Sequence, residues 1–348
     1  MSLVIAAGPA CFAGLPDAPT SRKVALFMKH LDWSNLRRLC GLFAGAVLLL
    51  APGSGCSVKK FAINKLGDAL AGGGGSGGTF ASDDDPELVK AALPFSLKLI
   101  ESLLAESPNH RGLLLAACSG FTQYSYAFIG QEADEKQDAD LEGSEVLRAR
   151  ARRLYLRARG YGWRGLELNH PGFTNELRRA PKLAVAVATK KDVPLLFWTA
   201  AAWGSAISVS KDDPQLISDQ LIVEALLDRV LALEPDYDHG AIHSVMIGYE
   251  MIRQGAVGEP ADRAMKHFDR ALELSKGRSA GPLVTLAEAV AVQKQDRAQF
   301  TSLLNRALAI NADAAPDQRL SNLLAQRRAR WLLGRIDEIF LNPASSAP

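Results

Sequence analysis

Apolar residues recur at helical spacing along most of the chain. Ile222, Leu226, Val230 and Leu233 fall at i, i+4, i+8 and i+11, and Ala261, Ala264, Met265, Phe268, Ala271 and Leu272 gather on one helical face. No convincing run alternates apolar and polar positions with β-branched enrichment, so the pattern predicts an all-α protein. Asp85-Pro86-Glu87 reads as a helix start: an Asp cap, a Pro in the first turn and an acid near the positive end of the dipole. Asp213-Pro214 repeats the device, and Asp192 with Pro194 is similar.

Several helical segments share one pattern. Ile100/Leu103-Leu104, Leu227/Val230-Leu231, Phe268/Ala271-Leu272 and Leu304/Ala307-Leu308 each place a large apolar residue three and four positions before two more. The spacing is 41 residues from Leu231 to Leu272 and 36 from Leu272 to Leu308. Tetratricopeptide repeats run about 34 residues and end a helix in this way. One helix pair cannot bury its own apolar face, so stacking would supply the core. The register fades between about 130 and 215, where a non-repeat helical insertion is expected.

The front of the chain reads as an address. Arg37-Arg38 precede the apolar run Leu39–Ala51. At 1.5 Å per residue that run spans about 20 Å, short of the roughly 30 Å hydrocarbon core. A positive flank, a short apolar run and small residues describe a secretory signal. Pro52-Gly53-Ser54-Gly55-Cys56-Ser57 then resembles a bacterial lipobox with Cys56 as the lipidated thiol, although Gly53 stands where an aliphatic is usual. The stretch ahead of Met28 reads as an over-called start or an extension. Ser57, which is not an Asp, points to the outer membrane. Gly72–Gly78 is followed by Thr79-Phe80 and lacks the lysine of a phosphate-binding loop, so it reads as a flexible tether.

Composition changes this picture little. Of the 348 residues, 48% are hydrophobic and 22% charged, which fits a folded globular chain. Residues 1–55 carry a net +3 of the chain's +2, and the remainder, with 35 basic and 36 acidic residues, is −1, which argues against nucleic acid as a partner. The four cysteines, Cys11, Cys40, Cys56 and Cys118, form no CxxC pair, so neither a zinc site nor a disulfide framework is expected.

Candidate chemistry is sparse. Trp198 and Trp203, five apart, project about 140° from one another on a helix. With Phe197 beside them and Ala and Gly between, they suit the wall of an apolar cavity. A helix buried on all sides is the alternative, and spacing does not choose between them. Phe121, Tyr124, Tyr126 and Phe128 crowd a second stretch in the same way. Asp236, Asp238, His239 and His243 could suggest a metal, but a helix start after Pro235 explains the acids, and no metal or other cofactor is expected. Lys190-Lys191 read as a solvated turn, or as anion recruitment if that turn rims a cavity. Cys118 has no activating neighbour in sequence. No nucleophile–base or paired-carboxylate spacing indicates an enzyme.

Taken together, Cys56-Ser57-Val58-Lys59-Lys60, Leu66-Gly67-Asp68-Ala69-Leu70, Asp83-Asp84-Asp85-Pro86-Glu87-Leu88-Val89, Cys118-Ser119-Gly120-Phe121-Thr122-Gln123-Tyr124, His170-Pro171-Gly172-Phe173 and Trp198–Trp203 carry a resemblance over about residues 56–342. The chain resembles the TatT family, the T component of tripartite ATP-independent periplasmic (TRAP) transporters. The resemblance implies a tetratricopeptide-like periplasmic lipoprotein with an apolar pore or cleft, docked to the solute-binding P component, in some cases as a homotrimer. It makes the two aromatic stretches candidates for lining that cleft. The expected organisation is a signal and extension over 1–55, an anchor and tether over 56–82, and a helical domain over 83–342. The lipid would be the sole membrane attachment, at the inner leaflet of the outer membrane. An envelope scaffold without a small ligand is the alternative.

Overall fold

A computed structural model describes Lys65, Gly67 and residues 78–340. The signal run, Cys56 and Gly72–Gly77 of the tether lie outside the described residues. Within them the chain is all-α, with no strand.

Helix α1 (Pro86–Glu106) starts where predicted: the Asp85 carboxylate accepts from the amides of Glu87 and Leu88, each at 3.0 Å. Helix α2 (Arg111–Tyr124) runs through a π-helical turn, Ser125–Gly130, into α3 (Gln131–Lys136). After α4 (Leu141–Asn169), the short α5 (Phe173–Arg179) and α6 (Pro181–Ala184) lead to α7 (Val193–Ser208), the tryptophan helix. Asp213 starts α8 (Pro214–Ser218) by accepting from the Leu216 amide at 3.0 Å.

There follow α9 (Gln220–Leu233), α10 (Tyr237–Glu250), α11 (Pro260–Leu274) and α12 (Gly281–Leu286), the last continued by a second π-turn, Ala287–Ala291. The chain then forms α13 (Arg297–Leu308), α14 (Arg319–Gly334) and α15 (Ile336–Ile339). Entry to α10 is left-handed at three successive residues, Asp238, His239 and Gly240. A Cβ at Gly240 would stand 3.1 Å from the Leu274 side chain, so that turn favours glycine for space as well as for its φ of 88°.

Two apolar clusters hold these helices. The second, from α11 to α15, is built on Phe268, Leu283, Phe300, Leu304 and Phe340. It uses the periodic residues read from the sequence. The first spans α1 to α10 and has a different grain. Helix α4 packs on both α2 and α7. It meets them through Ala151, Ala158, Gly162 and Gly165, all buried. A Cβ at Gly162 would collide with Thr199 Oγ1, and one at Gly165 would stand 2.8 Å from a Leu195 methyl. The backbones of α4 and α7 therefore approach closely. The repeat register fades over 130–215 because this seam is made of small residues rather than large ones.

Asp192 pins the start of α7, though not as a simple cap of that helix. Its carboxylate accepts from the amide and hydroxyl of Thr189 (2.9 and 3.0 Å), from Asn169 (3.0 Å) and from Arg111 (3.0 Å), and meets His170 Nε2 at 3.1 Å. Burial alone would raise its pKa, but these donors outweigh burial and hold it well below the ordinary carboxylate range.

Helix α14 returns to the first helices. The Leu320 amide donates to Ala81 O at 3.0 Å, and Arg319 donates to Ser82 O at 3.1 Å. Arg327 pairs with Glu87 and Glu135, and Arg335 with Asp138.

Candidate functional site

The two aromatic stretches come together, because α2 packs directly on α7. Phe121, Tyr124, Phe128, Phe197 and Trp203 are buried. Trp203 is wholly covered; its ring meets Trp163 edge-on at 5.0 Å and its Nε1–H donates to Asp219 at 3.2 Å. Phe121 stacks on Tyr161 at 6.0 Å. Phe197 meets Trp198 at 5.1 Å and Tyr237 at 5.3 Å. In this structure Phe121, Tyr124, Phe128, Phe197 and Trp203 pack into the apolar core. The room left by neighbouring Ala and Gly is taken by Tyr161 and Trp163 from α4 and by Tyr237 from α10. Trp198 is half-buried beside them.

Tyr126 is different. It exposes 60% of its surface, yet burial is the largest influence on its phenol and raises the pKa, with Glu288 adding to the rise. Its charged neighbours are Glu288, Arg328 and Asp134. Arg328 donates to Glu288 Oε1 from Nε (3.0 Å) and Nη2 (2.7 Å), pairs with Asp134 at 2.9 Å, and lies 4.3 Å over the Trp331 ring. Tyr155, buried on α4, lies near Tyr126. The group joins α3, α4, α14 and both π-turns.

Tyr126 and Glu288 each sit in a π-turn, a one-residue widening of the helix that recurs at functional sites. Sequence reasoning found Tyr126 but missed Asp134, Glu288 and Arg328. Their only linear signal was charge within apolar surroundings, and a π-turn leaves no mark in hydrophobic periodicity.

Lys190 and Lys191 are exposed on the turn before α7. The Asp–His group separates: His239 pairs with Asp317 at 3.1 Å, while His243 Nδ1 meets His267 Nδ1 at 2.8 Å. Among the described residues, no group of three or more His, Cys, Asp or Glu is placed to hold a metal. Cys118 is buried, and burial pushes its thiol up to about 12, so it packs rather than reacts.

The described residues thus form an all-helical body in which an exposed tyrosine stands among ion-paired side chains. Residues 82–340 match the family described as TRAP transporter T-component, and the chain belongs to that family. Membership associates the protein with a TRAP transport system as an accessory component and suggests a periplasmic location. A protein of Treponema pallidum (strain Nichols), described only as uncharacterized, is 29% identical over 331 residues, covering 90% of this chain and 100% of its own length. Among the described residues, no helix is long and apolar enough to cross a membrane.

Proposed function

We propose that the chain is a non-catalytic lipoprotein that docks the solute-binding P component of a TRAP system. It holds or passes an apolar or amphipathic anionic solute along the face on which Tyr126 is exposed. Cys56 carries the lipid at the inner leaflet of the outer membrane, and the glycine tether lets the body stand off the bilayer. The helices over 83–342 act as stacked tetratricopeptide-like hairpins, singly or as a homotrimer. Tyr124 and Trp198 flank the solute path, and the exposed Lys190 and Lys191 recruit the anion.

One observation carries this reading: in a T-component chain, Tyr126 exposes 60% of its surface beside the ion-paired Arg328, Glu288 and Asp134. Co-expression with the P component encoded nearest to this gene tests it. The two should co-purify at near-equal stoichiometry. Absence of any such complex overturns the reading.

A second reading is favoured by the packing of Phe121, Phe128, Phe197 and Trp203. A side-chain-filled interface between α2 and α7 suits an envelope scaffold that takes no small ligand. Retention of envelope assembly proteins, with no P component among them, would select it.

A further inference from the structure

The outer side of α4 carries charge that the helical body does not neutralise. From Val146 to Leu166 the chain holds seven arginines and no acid. Arg148, Arg152 and Arg159 turn to Asp134, Asp213 and Asp219. Arg150, Arg153, Arg157 and Arg164 fall at i, i+3, i+7 and i+14, on one exposed stripe that begins at Val146, itself 63% exposed. Three of them rest on rings: Arg150 lies 6.0 Å from the Tyr124 centroid, Arg157 5.5 Å from Phe121 and Arg164 5.6 Å from Tyr161. Arg157 shares Glu101 with Lys98, at 3.6 and 2.6 Å. Among the described residues, Arg150, Arg153 and Arg164 meet no carboxylate.

Helix α1 borders this stripe, since Glu101 also accepts from the Tyr161 hydroxyl at 2.6 Å. Along α1, Leu88, Phe95 and Leu99 fall at i, i+7 and i+11 and form an apolar line that stays exposed, with Phe95 showing 74% of its surface. Large apolar side chains left in water beside uncompensated arginines are the composition of a helix that lies at a membrane interface. The chain also enters the body at this edge. A Cβ at Gly67 would stand 3.0 Å from His110 and 3.1 Å from Leu113, at the start of α2, and Arg164 donates to Pro108 O at 2.8 Å beside them. Cys56 lies 11 residues before Gly67, a reach of at most about 40 Å.

We propose that the outer edge of α1 and α4 lies on an anionic phospholipid bilayer. Arg150, Arg153, Arg157 and Arg164 take the phosphodiester oxygens, which their planar forks match, and Phe95 and Leu99 enter the boundary with the acyl chains. The body then rests at the bilayer instead of ranging over the tether's full length. This goes beyond the docking role: Tyr126 and Arg328 take no part in the contact, and neither a P component nor a solute is needed for it.

An environment-sensitive NBD dye on Ser102→Cys reads the contact in the full chain, with Cys11, Cys40 and Cys56 replaced by serine and Cys118 buried. Ser102 is exposed one heptad beyond Phe95 and outside the arginine stripe. Dye emission should move to the blue on vesicles containing one-third phosphatidylglycerol and stay unchanged on phosphatidylcholine alone. The apolar run Leu39–Ala51 is common to every chain compared, so differences between chains report this face. Arg150→Gln with Arg153→Gln removes two exposed charges and should raise the lipid concentration for half the shift at least tenfold. Phe95→Ser should raise it about tenfold. Lys182→Gln with Lys266→Gln removes the same charge from exposed positions on α6 and α11 and should leave it unchanged. No shift on anionic vesicles overturns the proposal, as does an equal shift on neutral ones or an equal effect of the two double variants. An equal shift with soluble polyglutamate overturns it too, because the face would then fit an acidic protein. The P component does not enter this readout, so failure of co-purification and failure of this contact are separable.

Discussion

The two halves of the helical body solve the same packing problem differently. From α11 to α15 the core is written in large, periodic residues such as Phe268, Phe300 and Leu304. Around α4 and α7 it depends on the near-absence of side chains at Gly162 and Gly165, with rings filling the space between helices. Two buried carboxylates are also held differently. Asp192 is held mainly by neutral donors with Arg111 and His170, whereas Glu250 is gripped by Arg263 (2.5 Å) and Arg253 (3.1 Å). A core of large residues fails when a side chain is removed. A core of close backbones fails when one is added.

The sharpest break in this contrast is Phe300→Ala in the large-residue half. Phe300 is fully buried edge-on against Phe340 at 5.0 Å, and its loss should cost about 3–5 kcal/mol in urea unfolding. Asp192→Asn comes next, at about 1.5–3 kcal/mol, because the Thr189 amide and hydroxyl and the Asn169 amide lose a buried charged acceptor. The folded pKa of Asp192 is depressed, so its contribution is fully present above the unfolded value of about 3.9 and drains away as pH falls through the folded one. The gap in stability between the parent chain and Asp192→Asn should therefore narrow in melts run at progressively lower pH below about 4.

Smaller in effect, but more pointed, is a pair on α4. Gly162→Ala should lower stability by about 1–3 kcal/mol, since the added methyl strikes Thr199. Gly160→Ala, two residues away with nothing within 4 Å, should raise it by up to about 1 kcal/mol through helix propensity. Thermal melts of the two should move in opposite directions; movement in the same direction would refute the close-backbone account.

The same contrast explains what could be read in advance. The all-α class, the Asp85 and Asp213 starts, and the core faces at 222–233 and 261–272 were legible because each rests on local chemistry or a 3.6-residue period. The α4 seam was not, because Ala and Gly carry little hydrophobic signal, so the stretch read as an insertion. The aromatic stretches were visible as clusters, but partners more than 30 residues away decide which rings meet solvent. Tyr161, Trp163 and Tyr237 cover Phe121, Trp203 and Phe197, while Tyr126 stays open. Arg328 and Glu288 reached the same face through a returning helix and a π-turn, neither of which leaves a periodic trace.

If the solute passes the face that carries Tyr126, a docked P component covers that face, and the most direct measurement is protection of that position. A Tyr126→Cys chain with Cys11, Cys40 and Cys56 replaced by serine, and with the buried Cys118 as an unreactive background, would be treated with a small maleimide alone and with the P component present. The account predicts ready labelling of the introduced thiol in the free protein and labelling slowed at least tenfold in the complex. Equal rates with and without a bound P component would contradict it.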